Sequence, residues 1–328
     1  MPVSKAAAIA NSNIAFIKYW GNRDPKLRVP ATGSISMNLD GLYSRTTVTF
    51  NPALAADVVV LSGEAHSPAS AKRVSEHLDR IRTLAKISTF ARVDSHNNFP
   101  TGAGIASSAS GFAALTVAAC AAAGLQLAER ELSILARQGS GSASRSIPAG
   151  FVEWQTGLSA DGGDSYAFSI APPDHWVLVD CIALVSMEHK AVGSADGHAL
   201  APTSPLQPAR IEDTSRRLQA CREALLARDF ARLAEVVEED STMMHAIMMT
   251  SNPPLYYWHP ATLAVMQAVR GWRAGGLPAC FTIDAGPNVH VLTTAESAAE
   301  VERRLRSLPG VLKILTARPG PGAALVEG

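Results

Sequence analysis

The segment Pro100-Thr101-Gly102-Ala103-Gly104-Ile105-Ala106-Ser107-Ser108-Ala109-Ser110 sets two glycines among small residues and runs straight into a stretch of helix formers, Gly111 to Cys120. That stretch stops ahead of Gly124, which suits the residue that closes a helix. A small-residue turn that opens a helix leaves several backbone N–H groups without intrahelical partners, at the positive end of the helix dipole. Both properties favour an anion, and phosphate is the usual one. The hydroxyls of Ser107, Ser108 and Ser110 suit a phosphate or a Mg²⁺ ion. The same residues also suit a plain tight turn with a serine N-cap. No Gly-Lys-Ser/Thr follows the glycines, so the loop is not of the Walker type.

A chain of 328 residues that is 47% hydrophobic can bury one large core or two modest ones. Lysines and arginines balance aspartates and glutamates, which excludes a general electrostatic grip on nucleic acid or an anionic membrane but leaves room for a local cationic pocket. Cys120, Cys181, Cys221 and Cys280 are widely spaced, with no Cys-x-x-Cys, which argues against a zinc site or a disulfide framework. The start, Met1 to Ala6, lacks the apolar core of a signal peptide, and no apolar run is long enough to span a membrane, so a cytoplasmic protein is expected.

Alternation and β-branched residues predict strands over Ser44 to Phe50 and Asp57 to Leu61, and a further strand from Ile87 to Val93. Val74, Leu78, Ile81 and Leu84 predict a helix over 70–85, and a short helix is expected over 129–137. The apolar run from Trp176 to Val185 suits a buried strand. Helical patterning from Ile211 to Met249 breaks at Asp229-Phe230, while Ala191 to Arg210, rich in Gly, Ser, Ala and Pro, reads as a loop. Strands and helices mixed without a regular βαβ rhythm predict an α+β fold of two lobes, 1–185 and 186–328.

Three further segments carry chemistry. In Asn11 to Asp24, Lys18 lies inside an apolar stretch, where an ammonium needs either a partner or an escape to solvent along its own stem. In Arg137-Gln138-Gly139-Ser140-Gly141-Ser142-Ala143-Ser144-Arg145-Ser146, hydroxyls alternate with small residues and lead to an arginine. That pattern suits a phosphate or carboxylate, or else a flexible Gly/Ser loop. In Phe281-Thr282-Ile283-Asp284-Ala285-Gly286-Pro287-Asn288, one carboxylate ends an apolar strand at a turn. A base projecting into a cleft and an Asx-turn both fit it.

In this order, the four segments resemble the mevalonate diphosphate decarboxylase family of the GHMP kinase superfamily. Asn97-Asn98-Phe99-Pro100, Gly150-Phe151-Val152-Glu153-Trp154 and Met244-His245-Ala246 extend the likeness over nearly the whole chain. Lys18-Tyr19-Trp20-Gly21 and Asp284-Ala285-Gly286-Pro287-Asn288 are particular to the decarboxylase branch. The resemblance implies a two-lobed GHMP kinase fold, a homodimer, and ATP with Mg²⁺. The implied reaction phosphorylates the tertiary C3 hydroxyl of a 5-phosphorylated mevalonate, then expels that phosphate and CO₂ to give an alkene. By the same resemblance Asp284 takes or orients the hydroxyl proton, Arg145 holds the substrate carboxylate and Lys18 stands beside both. Gly102, Gly104, Ala106, Ser107, Ser108 and Lys190 would serve the ATP phosphates, with Ser108 also a metal ligand. Asn13, Tyr19, Asn22, Ser140 and Ser142 would line the substrate pocket.

Two departures bear on the substrate. Where the family reads Tyr-Trp-Gly-Lys this chain has Asn22, and where it reads Val-Ser-Ser-Arg this chain has Ala195. Both replaced cations serve the 5-diphosphate. Losing two hydrogen bonds to a charged group weakens a ligand by about 10²–10⁴-fold, unless Arg23 or His198 compensates. The expected substrate is therefore mevalonate 5-phosphate, giving isopentenyl phosphate. The alternatives are the ordinary diphosphate, a kinase that stops after 3-phosphorylation, and a protein of this fold that only binds a metabolite.

Overall fold

Two long strands, Ser4–Ile17 and Ser34–Phe50, pair antiparallel and form the spine of the larger sheet. Val58–Leu61, Ala91–Asn97, Phe151–Trp154, Ala167–Ala171 and Ala324–Val326 extend it. The computed structural model describes residues 2–61, 64–65, 68–99, 107–188 and 192–327. The first spine strand is poor in large side chains where it carries Ala8 and Ala10, and this lets the helix Ser107–Ala122 lie close against it. That helix is apolar almost all round, with residues from Ala109 to Ala122 buried. An all-round apolar helix must be covered on every side, and Leu78 and Ile81 of the helix Pro68–Ala85 and Leu135 of Glu129–Gly139 cover it. The chain ends this buried helix at Gly124, whose φ of +77° admits glycine at little cost.

A second antiparallel sheet has the strand order Ala279–Thr282, Val289–Thr294, Leu178–Leu184, Lys313–Ala317. Its central strand is buried on both faces. Val179, Cys181 and Ala183 meet the helices Pro260–Ala274 and Ala298–Arg306. Leu178, Ile182 and Leu184 face a core shared with the helices Thr214–Ala227 and Phe230–Thr250 and with Ile14, Phe16, Ile35 and Met37 of the first sheet. One hydrophobic core thus welds the two sheets together, and the mixture of sheets and helices is α+β, as expected.

The strand Leu178–Leu184 precedes residue 185 yet is hydrogen-bonded into the second sheet, and Ala324–Val326 returns to the first. An apolar run buried on both faces carries no sign of which sheet it joins. The strand expected over Ile87 to Val93 lies instead at Ala91–Asn97, whose polar residues pair with Ser44 to Phe50. The stretch read as a loop, Ala191 to Arg210, contains the short helices Ser194–Leu200 and Gln207–Glu212 and a 3₁₀ turn between them. Gly, Ser and Pro supply the ends of such short helices, so their composition resembles that of a loop. The break near Asp229 is present: Arg228 is left-handed, and the Asp229 carboxylate accepts from the Arg232 N–H to start the next helix. All four cysteines are buried and free. Among the described residues no helix is long and apolar enough to cross a membrane.

Candidate active site

Lys18 follows the first spine strand directly, and the pairing register shifts between Ala15 and Ile17. A bulge of this kind re-aims the end of a strand. At the shift, the Ala15 carbonyl accepts from the Thr282 hydroxyl of the second sheet at 3.1 Å, which draws the two strand ends together. Asp284 lies two residues beyond Thr282, and Lys18 Nζ donates to its Oδ1 at 2.6 Å. Lys18 is 1% exposed and the Asp284 side chain 25%. The lysine therefore does not escape to solvent; it has a partner.

Both residues are clamped through their backbones. The Asp240 carboxylate accepts from the Lys18 N–H at 2.7 Å and from Arg217 Nε at 2.8 Å, while Arg210 Nη2 donates to the Lys18 carbonyl at 2.8 Å. The Ile283 N–H donates to Ser241 Oγ at 2.9 Å, and Asn288 Oδ1 accepts from the N–H groups of Val185 and Ser186. Asp284 is thus held on a braced turn with its carboxylate half open to a cavity.

That cavity, about 470 Å³, is lined by Lys18, Tyr19, Arg28, Arg73, Ser107, Ser108, Ser140, Ser142, Arg145, Asp196, His198 and Asp284, among others. Gly141 to Ser146 forms a buried 3₁₀ turn rather than a flexible loop. It presents Arg145, whose guanidinium donates to Ser34 Oγ and to Asn13 Oδ1. Asn13 in turn donates to Ser146 Oγ and the Ser142 carbonyl, so it fixes Arg145 and does not itself line the cavity. Tyr19 presses on Gly141, where a Cβ would lie 2.6 Å from the ring. Only glycine permits that approach.

The Tyr19 hydroxyl donates to Asn22 Oδ1 at 2.5 Å, which places Asn22 behind the tyrosine and outside the cavity lining. Arg23 is exposed and donates to the Gly157 carbonyl, so it supplies no charge to the pocket. His198 does line it, with its ring 4.0 Å from that of Tyr19 and its Nδ1 accepting from the Gly21 N–H. Ser107 and Ser108 open the buried helix at the cavity edge, where Ser140 Oγ donates to Ser108 Oγ at 3.3 Å. Gly102, Gly104, Ala106 and Lys190 lie outside the described residues. Three charged cavity residues, Arg28, Arg73 and Asp196, do not stand out in the sequence.

The cavity collects four cations, Lys18, Arg28, Arg73 and Arg145, against two carboxylates, Asp196 and Asp284. Burial pushes the Lys18 ammonium down from its ordinary value while Asp284 pulls it up. Burial by itself would raise the Asp284 carboxyl, but Lys18, followed by His290 and Arg145, outweighs it and holds that carboxyl below the usual range. Asp284 is therefore ionised at neutral pH, as a proton acceptor must be. Burial brings Arg145 down to about 10, still protonated at neutral pH, and lifts the Tyr19 phenol to about 12, which keeps it neutral. His245, packed beneath the turn and brought to about 3 by burial, is neutral as well.

A cavity with an ion-paired carboxylate, a buried guanidinium and a hydroxyl-bearing helix start fits an anionic substrate beside a polyphosphate. Residues 10–167 match the diphosphomevalonate decarboxylase-like N-terminal domain, and residues 181–314 match the mevalonate 5-diphosphate decarboxylase C-terminal domain. The diphosphomevalonate decarboxylase of Ganoderma lucidum is 38% identical over 324 residues, 92% of this chain and 81% of that protein. The chain belongs to the diphosphomevalonate decarboxylase family. The human diphosphomevalonate decarboxylase is 37% identical over 91% of this chain and 79% of its own length. The structure superposes on mevalonate diphosphate decarboxylase of Staphylococcus aureus with a TM-score of 0.92 at 37% identity, covering 99% of this chain and 98% of that one. For the Enterococcus faecalis enzyme the TM-score is 0.91 at 37% identity, over 99% and 100% of the two chains. A complex described as MDDEF with MVAPP, AMPPCP and magnesium superposes with a TM-score of 0.93 at 38% identity, over 99% and 100%.

Proposed function

We propose that this member of the diphosphomevalonate decarboxylase family acts on mevalonate 5-diphosphate with ATP and Mg²⁺, and releases isopentenyl diphosphate, ADP, phosphate and CO₂. The observation that carries the reading is the 2.6 Å contact between Lys18 and Asp284 at one wall of a cavity that also holds Arg145. The relatives just described are diphosphomevalonate decarboxylases, and the superposed complex holds MVAPP, AMPPCP and magnesium. These findings favour the diphosphate over the monophosphate expected from Asn22 and Ala195. That expectation counted two lost cations but did not count Arg28 and Arg73, which face the same cavity.

In this reading the Arg145 guanidinium grips the substrate carboxylate and sets the C3 hydroxyl against Asp284. The hydroxyl oxygen attacks the γ-phosphorus of ATP as its proton passes to the Asp284 carboxylate, and ADP departs. The C3–O bond then breaks and phosphate leaves with the bonding electrons. The C1–C2 electrons move into the new C2=C3 double bond, and C1 departs as CO₂. Lys18 keeps Asp284 ionised until it takes that proton. At the start of Ser107–Ala122 the backbone N–H groups suit donation to phosphate oxygens, and the serine hydroxyls suit either a phosphate or Mg²⁺ as hard oxygen ligands. Mg²⁺ would supply charge neutralisation across the phosphate oxygens. The proposal retains the expected homodimer and cytoplasmic location.

The test supplies purified protein with ATP, Mg²⁺ and either mevalonate 5-diphosphate or mevalonate 5-phosphate, and measures ADP and CO₂ together. We expect one CO₂ per ADP and a higher kcat/KM on the diphosphate. ADP without CO₂ would make the protein a kinase, and a higher kcat/KM on the monophosphate would restore the substrate expected from sequence.

A further inference from the structure

Resting on the diphosphate reading above, we propose that Arg28 is the residue that recognises the terminal phosphate of the substrate. It sits on a short hairpin, Asn22–Asp24 paired with Val29–Pro30, that directly follows the Lys18 to Gly21 segment. The Asp24 carboxylate accepts from the Leu27 N–H at 2.8 Å and closes the turn. Arg28 itself has a φ of +51°. A left-handed conformation at an arginine is uncommon, and strained backbone of this kind is held where the surrounding structure requires it. Arg28 lines the cavity, while its neighbour Arg23 points out to the Gly157 carbonyl.

Arg28 is anchored beside the groups expected to hold phosphate. Its Nε donates to the Gln138 carbonyl at 3.2 Å, and Arg73 Nη2 donates to the next carbonyl, Gly139, at 3.4 Å. These carbonyls end the helix Glu129–Gly139, where its dipole favours cations. Ser140, Gly141 and Ser142 follow, with Tyr19 pressed on Gly141. The turn therefore gathers two guanidiniums, two serine hydroxyls and a neutral phenol within a few residues.

Neither arginine forms an ion pair among the described residues, and the buried Arg73 Nε has no hydrogen-bond partner there. Asp196 acts on Arg73 across the cavity, but neither guanidinium is bonded to a carboxylate, which leaves donors for an anion. Asn22 and Ala195 bring no charge to this end, and Asn22 is already engaged by the Tyr19 hydroxyl. Arg28 still has both terminal nitrogens of its fork to offer, a geometry suited to a phosphate with two free oxygens.

The experiment measures kcat/KM for mevalonate 5-diphosphate and mevalonate 5-phosphate in the wild type, Arg28→Asn, Arg28→Lys and the double variant Arg28→Asn with Asn22→Lys. Asparagine tolerates the left-handed backbone, so Arg28→Asn removes the charge with little added strain. The expected result is a fall of about 10–10²-fold in the diphosphate-to-monophosphate ratio, carried by KM rather than kcat. Arg28→Lys should recover part of the ratio, and Asn22→Lys should restore it by placing an ammonium beside Tyr19. An unchanged ratio in Arg28→Asn, or equal losses on both substrates that Asn22→Lys does not repair, overturns the assignment while the wild-type preference for diphosphate stands. A wild type that prefers the monophosphate overturns the diphosphate reading first and the assignment with it.

Discussion

Asp284→Asn lowers kcat by about 10²–10⁴-fold, the range for loss of a positioned general base, and leaves nucleotide binding intact. The amide keeps the shape of the carboxylate and still accepts from Lys18 Nζ, so the braced turn has no reason to move. What it loses is the capacity to take the C3 proton as the hydroxyl attacks. Asp284 belongs to a different element of the cavity wall from the start of the helix Ser107–Ala122, which is proposed to hold the ATP phosphates. Calorimetric titration with a non-hydrolysable ATP analogue, set beside steady-state turnover, separates the two effects. Turnover within tenfold of the wild type would remove Asp284 from the chemistry.

Lys18→Met has the second largest expected effect, because it changes the charge that sets Asp284. In the wild type the Asp284 carboxyl lies below its ordinary value: burial raises it, and Lys18, the largest of the opposing influences, brings it down together with His290 and Arg145. A carboxyl lowered in the folded state contributes stability above its unfolded pKa, and that contribution is lost as pH falls through the folded pKa. Removing the ammonium takes away the largest influence that lowers the carboxyl and leaves burial less opposed, so the carboxyl rises. The stability that ionised Asp284 contributes at neutral pH shrinks accordingly. The acid limb of the kcat–pH profile, set by ionised Asp284, should therefore move to higher pH, and kcat at neutral pH should fall by about 10²–10³-fold. An acid limb that stays in place would show that Lys18 does not control Asp284.

Much of this centre is legible in the sequence, because its residues break local rules. Lys18 sits where an ammonium has no business unless paired, and Asp284 ends an apolar strand; the structure brings them together. Arg145 follows hydroxyls and glycines too regular for a loop, and it is buried at the cavity wall. Arg28 and Arg73 break no such rule. Arg28 lies in the charged run Asn22 to Arg28, and neither its left-handed backbone nor its place in the cavity wall leaves a mark there. Arg73 occupies a polar position of an amphipathic helix, where an inward charge and a solvated one look alike.

The clamp behind Lys18 was equally hidden. Arg210, Arg217 and Asp240 come from three separate helices and are all fully buried, yet Arg210 reads as the end of a loop and the other two as parts of a helical stretch. The fold class was legible from the order of strands and helices. The assignment of Leu178–Leu184 to the second sheet was not, because pairing partners more than a hundred residues away leave no local trace.

The central claim is that the tertiary hydroxyl leaves as phosphate after phosphorylation beside Lys18, Asp284 and Arg145. Mevalonate 5-diphosphate carrying ¹⁸O in the C3 hydroxyl tests it most directly. After turnover with unlabelled ATP, the inorganic phosphate should carry one ¹⁸O per molecule, in step with the CO₂ released. Label recovered in water, with unlabelled phosphate accompanying CO₂, would contradict the account.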